Sequence, residues 1–121
     1  MAYFINLKTF DDEKGTLTVV EDILPFKVKR AYYVYNVNSI RGGHRHKLTV
    51  QGLVCLGGSC KVYVNNGKTE KEYIIDTPQK CLILDPKDWH TIDFSSNNTV
   101  LLVFASEYYD VDDYIDDKYW W

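Results

Sequence analysis

His44, His46 and His90 are the only histidines in this 121-residue chain, and imidazole is the side chain whose ordinary pKa places its charge change near neutrality. A neutral imidazole accepts a proton and its cation returns one, so clustered imidazoles suit general acid–base work. His44 and His46 stand two residues apart. In an extended strand, side chains with that spacing leave the same face, about 6.5 to 7 Å apart along the chain. Continued along one strand, this parity groups them with Leu48 and Val50, while Arg45, Lys47 and Thr49 point the other way, so both imidazoles are expected to look inward. The same test on Trp89 to Phe94 groups His90 with Ile92 and Phe94, against Trp89, Thr91 and Asp93. A lone core histidine usually finds a hydrogen-bond partner and does nothing more. Three that converge on one interior call for a function.

The elements that must hold them read as strands. Period-two alternation rich in β-branched and aromatic residues recurs along the chain, interrupted at short intervals by Gly, Pro, Asn and Asp. Tyr3 to Thr9, Leu17 to Glu21, Lys29 to Tyr35, Gly43 to Val50, Gly52 to Leu56, Cys60 to Val64, Lys71 to Ile75, Cys81 to Leu84, Trp89 to Phe94 and Val100 to Ala105 are expected strands. Asn66-Gly67 is a hairpin signal, since both turn positions tolerate positive φ. Glu107 to Tyr114 is the one expected short helix. The result is an all-β single domain over residues 1–121, built as a jelly roll or a related small barrel.

Composition narrows the function classes. Residues 1–106 hold thirteen basic against eleven acidic side chains, and the remainder holds six acidic residues and one Lys. That allows a local anion site but not the broad basic face of a nucleic-acid binder. No run approaches the length of a membrane span, and the first apolar stretch, Ala2 to Ile5, is interrupted at Asn6 and Lys8. Cys55, Cys60 and Cys81 form no C-x-x-C and lie among Leu, Val and Ile, which fits buried, reduced thiols in the cytoplasm.

The spacing His44-x-His46, then Gln51, Gly58 and Pro86-x-x-Trp89-His90, resembles the two-part pattern of the cupin superfamily, a double-stranded β-helix with its site in the barrel mouth. The resemblance maps the ligands of metal-binding cupins onto His44, His46, Gln51 and His90. Gln51 replaces the carboxylate, and a neutral amide is a weaker ligand that leaves the cation's charge uncompensated. No metal and no cofactor are therefore expected. More narrowly, Pro25 to Tyr33, Arg41-Gly42-Gly43-His44-Arg45-His46-Lys47, Gln51, Leu53 to Cys60, Asn66-Gly67, Trp89-His90, Ala105 to Asp110 and Asp113-Tyr114-Ile115 resemble the dTDP-sugar 3,4-ketoisomerases. Two departures stand out: Arg45 where the family commonly has Ala, and a short loop from Asn36 to Ile40.

That resemblance implies conversion of dTDP-4-dehydro-6-deoxy-glucose to a dTDP-3-dehydro-6-deoxy-hexose by metal-free proton transfer through an enediolate. It implies a homodimer working in biosynthesis of 3-amino-dideoxy sugars, such as those of lipopolysaccharide or S-layer glycans. It favours His44 as base, with His46 orienting it, stabilising the enediolate or sharing the proton shuttle. Tyr32, on the Arg30 face by parity, is placed beside the histidines as acid or oxygen stabiliser, and Tyr33 remains a core or interface aromatic. Arg30 and Arg41 suit a diphosphate, and Gly42-Gly43 would let backbone amides approach it. Gln51, Trp89 and His90 complete the expected substrate-binding set: Gln51 reaches the pocket only if a bulge intervenes near Gly52, and Trp89 either stacks on the base or sits at a sheet interface. The aromatic tail, Tyr108, Tyr109, Tyr114 and Tyr119-Trp120-Trp121, is expected to dock on the barrel edge or a second subunit. A metal-dependent dioxygenase, a 3,5-epimerase of a dTDP-keto sugar and a non-catalytic binding module are the alternatives.

Overall fold

The computed structural model describes residues 1–119; Trp120 and Trp121 of the expected docking end lie outside the described residues. The strands are β1 (Tyr3–Asn6), β2 (Lys8–Asp12), β3 (Gly15–Val19), β4 (Arg30–Val34), β5 (Arg41–His46), β6 (Gln51–Leu56), β7 (Cys60–Asn65), β8 (Glu70–Ile75), β9 (Lys80–Leu84), β10 (Trp89–Phe94), β11 (Val100–Ala105) and β12 (Tyr114–Ile115). Two antiparallel five-stranded sheets, ordered β1-β9-β6-β11-β4 and β12-β5-β10-β7-β8, face each other, and β2 and β3 form a separate ribbon.

The main core lies between the sheets. Leu53, Cys55 and Leu101 from the first sheet meet Val62, Val64 and Ile75 from the second. A second cluster, Leu7, Val54, Cys81 and Ile83, lies on the outer face of the first sheet, where Val20 and Leu24 cover it. Burial on both faces explains why Leu53-Val54-Cys55 and Cys81-Leu82-Ile83-Leu84 are continuous apolar runs with no alternation.

Three local readings change. Tyr3 to Thr9 is two strands separated at Leu7, whose amide donates to the Gln79 carbonyl at 2.8 Å. The β7–β8 hairpin forms, but its loop has four residues, since Asn65 pairs with Glu70. Gly67 supplies the positive φ (89°) there, and the Asn66 side chain accepts from the amides of Lys68 and Thr69. The expected strand Gly43 to Val50 ends at His46. Beyond it the chain bonds to the C-terminal segment: the Lys47 amide donates to Asp113 O at 2.9 Å, and Val50 and Ser106 exchange bonds. Leu48 is consequently 70% exposed and does not share the histidine face. The expected helix from Glu107 to Tyr114 is a single 3₁₀ turn, Val111–Asp113, capped by the Asp110 side chain and followed directly by β12.

All three cysteines are free and buried, with Sγ of Cys60 3.5 Å from Sγ of Cys55. Burial pushes the Cys81 thiol up to about 12, and the hydrogen bond to Cys55, then burial, raises that of Cys60. Thiol reactivity follows the thiolate and its exposure. An aromatic disulfide reagent at pH 8 is therefore expected to titrate no thiol within minutes in the native protein and all three in guanidinium. A fast native thiol would contradict this packing.

Candidate active site

The two sheets part at one end, and the cavity there is about 70 Å³, lined by Tyr32 and Val34 of β4, Arg41, Gly42 and His44 of β5, Gln51 of β6 and His90 of β10. It opens into a wider groove of about 510 Å³ bounded by Arg30, Arg41, Tyr109 and Tyr114. Strand parity places Arg30, Tyr32 and Val34 on the inner side of β4, whereas Tyr33, expected as a core or interface aromatic, is 65% exposed and is not a core residue.

Arg41 reaches the same cavity through an irregularity that parity does not anticipate. His90 pairs with His44 but Thr91 pairs with Gly42, so Gly43 is an extra residue in β5. Such a bulge counts two residues as one, which puts Arg41 and His44 on one face. The glycines are required for this. Gly42 has φ of 89°, and a Cβ there would lie 2.8 Å from the His90 carbonyl oxygen. They let the strand bend closely against β10. Gln51 also lines the cavity, and no bulge at Gly52 is needed: the break after His46 resets the parity of β6.

The three imidazoles converge. Ring centroids lie 5.1 Å apart for His44–His46, 5.1 Å for His44–His90 and 6.4 Å for His46–His90. They are not equivalent. His44 lines both the cavity and the groove, whereas His46 is 4% exposed and lines neither, lying behind His44 and under the Tyr114 ring at 4.6 Å. His90 Nδ1 lies 3.0 Å from the Asp88 carbonyl oxygen. A carbonyl only accepts, so this ring carries its proton on Nδ1 and leaves Nε2 bare.

Burial lowers the pKa of each histidine. For His44 the neighbouring His46 adds to the effect, for His46 the Asp113 carboxylate partly offsets it, and His90 falls to about 3. All three are neutral at pH 7. Burial, then the nearby Tyr114, raises the pKa of Tyr32, with Arg30 and Arg41 opposing, so its phenol is protonated; Gln51 Nε2 donates to its oxygen at 3.1 Å. The Arg30 guanidinium lies 4.4 Å over the Tyr32 ring and 5.3 Å from that of Tyr109. The cleft thus holds neutral proton-accepting and proton-donating groups within, and two permanent cations at its edge.

Trp89 is not part of it. It faces outward, where its Nε1 donates to the Asp116 carbonyl at 3.0 Å and Lys118 lies 5.4 Å over the ring. It lines neither the cavity nor the groove, and its indole meets the C-terminal segment instead of a sheet interface. The same segment supplies residues the sequence analysis left out of the site: Asp113, whose Oδ2 lies 2.8 Å from His46 Nδ1, and Tyr109 and Tyr114, which wall the groove. The signal for them was present in the Tyr109-Asp110 and Asp113-Tyr114-Ile115 matches, but nothing in the sequence says which strand this segment joins.

The family model described as FdtA: WxcM-like, C-terminal, matches residues 2–120. A TDP-4-oxo-6-deoxy-alpha-D-glucose-3,4-oxoisomerase from Aneurinibacillus thermoaerophilus is 40% identical over 115 residues, 92% of this chain and 83% of that protein. A His-to-Asn mutant of the 3,4-ketoisomerase QdtA from Thermoanaerobacterium thermosaccharolyticum, in complex with TDP-4-keto-6-deoxyglucose, superposes with a TM-score of 0.91 at 38% identity, covering 96% of this chain and 87% of that one. The WlaRB TDP-quinovose 3,4-ketoisomerase from Campylobacter jejuni gives 0.90 at 32%, covering 96% and 92%.

Neutral buried histidines make stability pH-dependent with a defined sign. Their folded pKa values lie below the unfolded value of about 6.5, so the unfolded state binds more protons as pH falls through that value. Their contribution is complete above pH 6.5 and is lost as pH falls towards about 3, the value for His90. The melting temperature is expected to fall steadily from pH 7 to pH 4, and His90→Gln is expected to flatten that slope; calorimetry across the range checks both.

Proposed function

We propose that this chain, which belongs to the FdtA (WxcM-like, C-terminal) family over residues 2–120, is a TDP-sugar 3,4-ketoisomerase that acts on TDP-4-keto-6-deoxyglucose and yields a 3-keto product. The observation that carries the reading is a neutral imidazole, His44, and a protonated phenol, Tyr32, in one cleft beneath two guanidinium groups. The similarity to proteins named for this reaction supports it.

Moving the ketone exchanges hydrogens between two carbons and two oxygens. His44 takes the proton from C3, the electron pair remains in an enediolate, and the proton then returns at C4. Tyr32 gives its proton to O4 as charge develops there and recovers one from the O3 hydroxyl, so both residues end as they began. A neutral base and a neutral oxygen donor suffice for these steps. The lowered pKa of His44 keeps it in the accepting form at neutral pH. In this reading Arg30 and Arg41 bind the nucleoside diphosphate, and His90 and Gln51, which line the cavity with His44, bind the sugar. The reading is metal-free on the chemistry of the donor set: Gln51 stands where the resemblance puts a carboxylate ligand, and a neutral amide is a weaker ligand that leaves a cation's charge uncompensated.

The wider setting belongs to the same proposal: one domain, in the cytoplasm, supplying a 3-keto sugar for 3-amino-dideoxy sugar synthesis, with no nucleic-acid or membrane partner. Among the described residues no helix is long and apolar enough to cross a membrane. A homodimer is supported by the β2–β3 ribbon, which among the described residues pairs with no other strand and carries Phe10 directly opposite Leu17, 50% and 61% exposed. An isolated two-stranded ribbon is marginal in water, and this apolar pair fits a second copy.

Proton NMR of the protein with TDP-4-keto-6-deoxyglucose in deuterated water is expected to show a 3-keto sugar with deuterium at C4. Label at C3 and C5 with the ketone unmoved would mean a 3,5-epimerase. His44→Asn is expected to lose about 10² to 10⁴ in kcat while keeping TDP affinity; equal loss of binding would favour a binding module. Light scattering is expected to give twice 14.1 kDa, reverting to the monomer mass in Leu17→Asp.

A further inference from the structure

Asp113 buries a carboxylate against the far side of the histidine cluster. Its Oδ2 receives His46 Nδ1 at 2.8 Å and Thr49 Oγ1, and its Oδ1 receives the Leu48 amide at 2.7 Å. The segment does not depend on the imidazole for its anchorage. The Lys47 amide already bonds to Asp113 O, β12 pairs Tyr114 with His46, and Leu48 and Thr49 satisfy the carboxylate from the other side. Burial alone would raise the Asp113 pKa, but the bonds from Thr49, Leu48 and His46 outweigh it and hold the group ionised.

An ionised carboxylate only accepts, so the neutral His46 ring keeps its proton on Nδ1. The consequence lies at the other ring nitrogen, where His46 Nε2 is buried without a hydrogen-bond partner among the described residues. An unpaired buried acceptor is costly, and each such atom in a folded protein asks for a reason. This ring lies 5.1 Å from that of His44, edge to face, and Tyr114 packs on both, at 4.6 and 4.8 Å. We infer that Asp113 is a positioning residue of the ketoisomerisation, fixing His46 as the Nδ1–H tautomer so that a bare Nε2 lies beside His44 to stabilise the imidazolium His44 becomes. The inference rests on the proposed reaction. The C3–H bond breaks, its proton forms the N–H bond of the His44 cation, and that N–H bond breaks again when C4 is protonated; His46 and Asp113 return unchanged.

Asp113→Asn tests the tautomer directly. The Leu48 amide can only donate, so it retains the Asn carbonyl oxygen. The Asn amino group then falls on His46 Nδ1, which must become the acceptor, and the ring proton moves to Nε2. Multiple-bond ¹H–¹⁵N NMR is expected to show His46 protonated on Nδ1 in the wild type and on Nε2 in the variant. kcat is expected to fall at least ~100-fold with TDP affinity within twofold. Thr49→Val, which removes one donor to the same oxygen without touching His46, is expected to stay within threefold of wild-type kcat. A wild-type His46 with its proton on Nε2 overturns the inference, and this reading is available even if Asp113→Asn does not fold. So does a switched tautomer with kcat within threefold, or a Thr49→Val loss equal to that of Asp113→Asn. Absence of wild-type turnover overturns the proposed function and this inference together, and the wild-type assay identifies that case.

Discussion

Burial of His44, His46 and His90 within ring distances of 5.1 to 6.4 Å disfavours a charge on any of them, both because the sheets exclude water and because a proton on one ring repels a proton on the next. The rest of the site is compatible with that constraint or follows from it. Each buried ring needs a partner that takes its Nδ1 proton: the Asp88 carbonyl for His90 and the Asp113 carboxylate for His46. Neutral rings are then left with bare Nε2 atoms, the form in which imidazole accepts a proton.

Charge is accordingly sorted by depth. The permanent cation Arg30 lines only the wider groove, and Arg41 lines both the groove and the mouth of the inner cavity, where solvent lessens the cost of holding them. Tyr32 stands at the boundary, its phenol kept protonated by burial and by Tyr114 although both arginines oppose this. A substrate whose diphosphate is anionic and whose sugar is neutral matches this gradient end for end.

The C-terminal segment completes the site. A 3₁₀ turn capped by Asp110 delivers Asp113 to His46, and the following strand lays Tyr114 across the imidazoles of β5. Farther on, Asp116 and Lys118 cover Trp89, and the Tyr119 hydroxyl bonds to the Lys87 carbonyl at 2.9 Å. Tyr119 of the aromatic tail thus packs on the barrel edge, one of the two surfaces expected for it. Arg45 is drawn into the same contact, with its guanidinium 4.2 Å over the Tyr119 ring; being outward on β5, it stays out of the cleft.

Most of the architecture was legible because period-two alternation is a local property: β10 and β11 lie where the pattern put them, parity alone turned His44, His46 and His90 inward, and it put Tyr32 on the face of Arg30 while the resemblance set that face beside the histidines. The resemblance in the Arg41–Lys47 block and in the tail supplied the chemistry that alternation cannot. What failed was whatever depended on counting residues through an interruption. Leu48 left the histidine face because residues 47–50 bond to the tail, Gln51 joined the cavity because that break reset its strand, and Arg41 joined it because Gly43 is an extra residue. Trp89 was legible as facing away from His90, but not what would cover it. The sequence by itself thus determined which residues are extended and which side each presents, since that follows from the geometry of neighbouring peptides. Only the tertiary structure decided that Asp113, sixty-seven residues from His46, would take that ring's proton, because long-range pairing is set by which strand edges remain free once the sheets have closed.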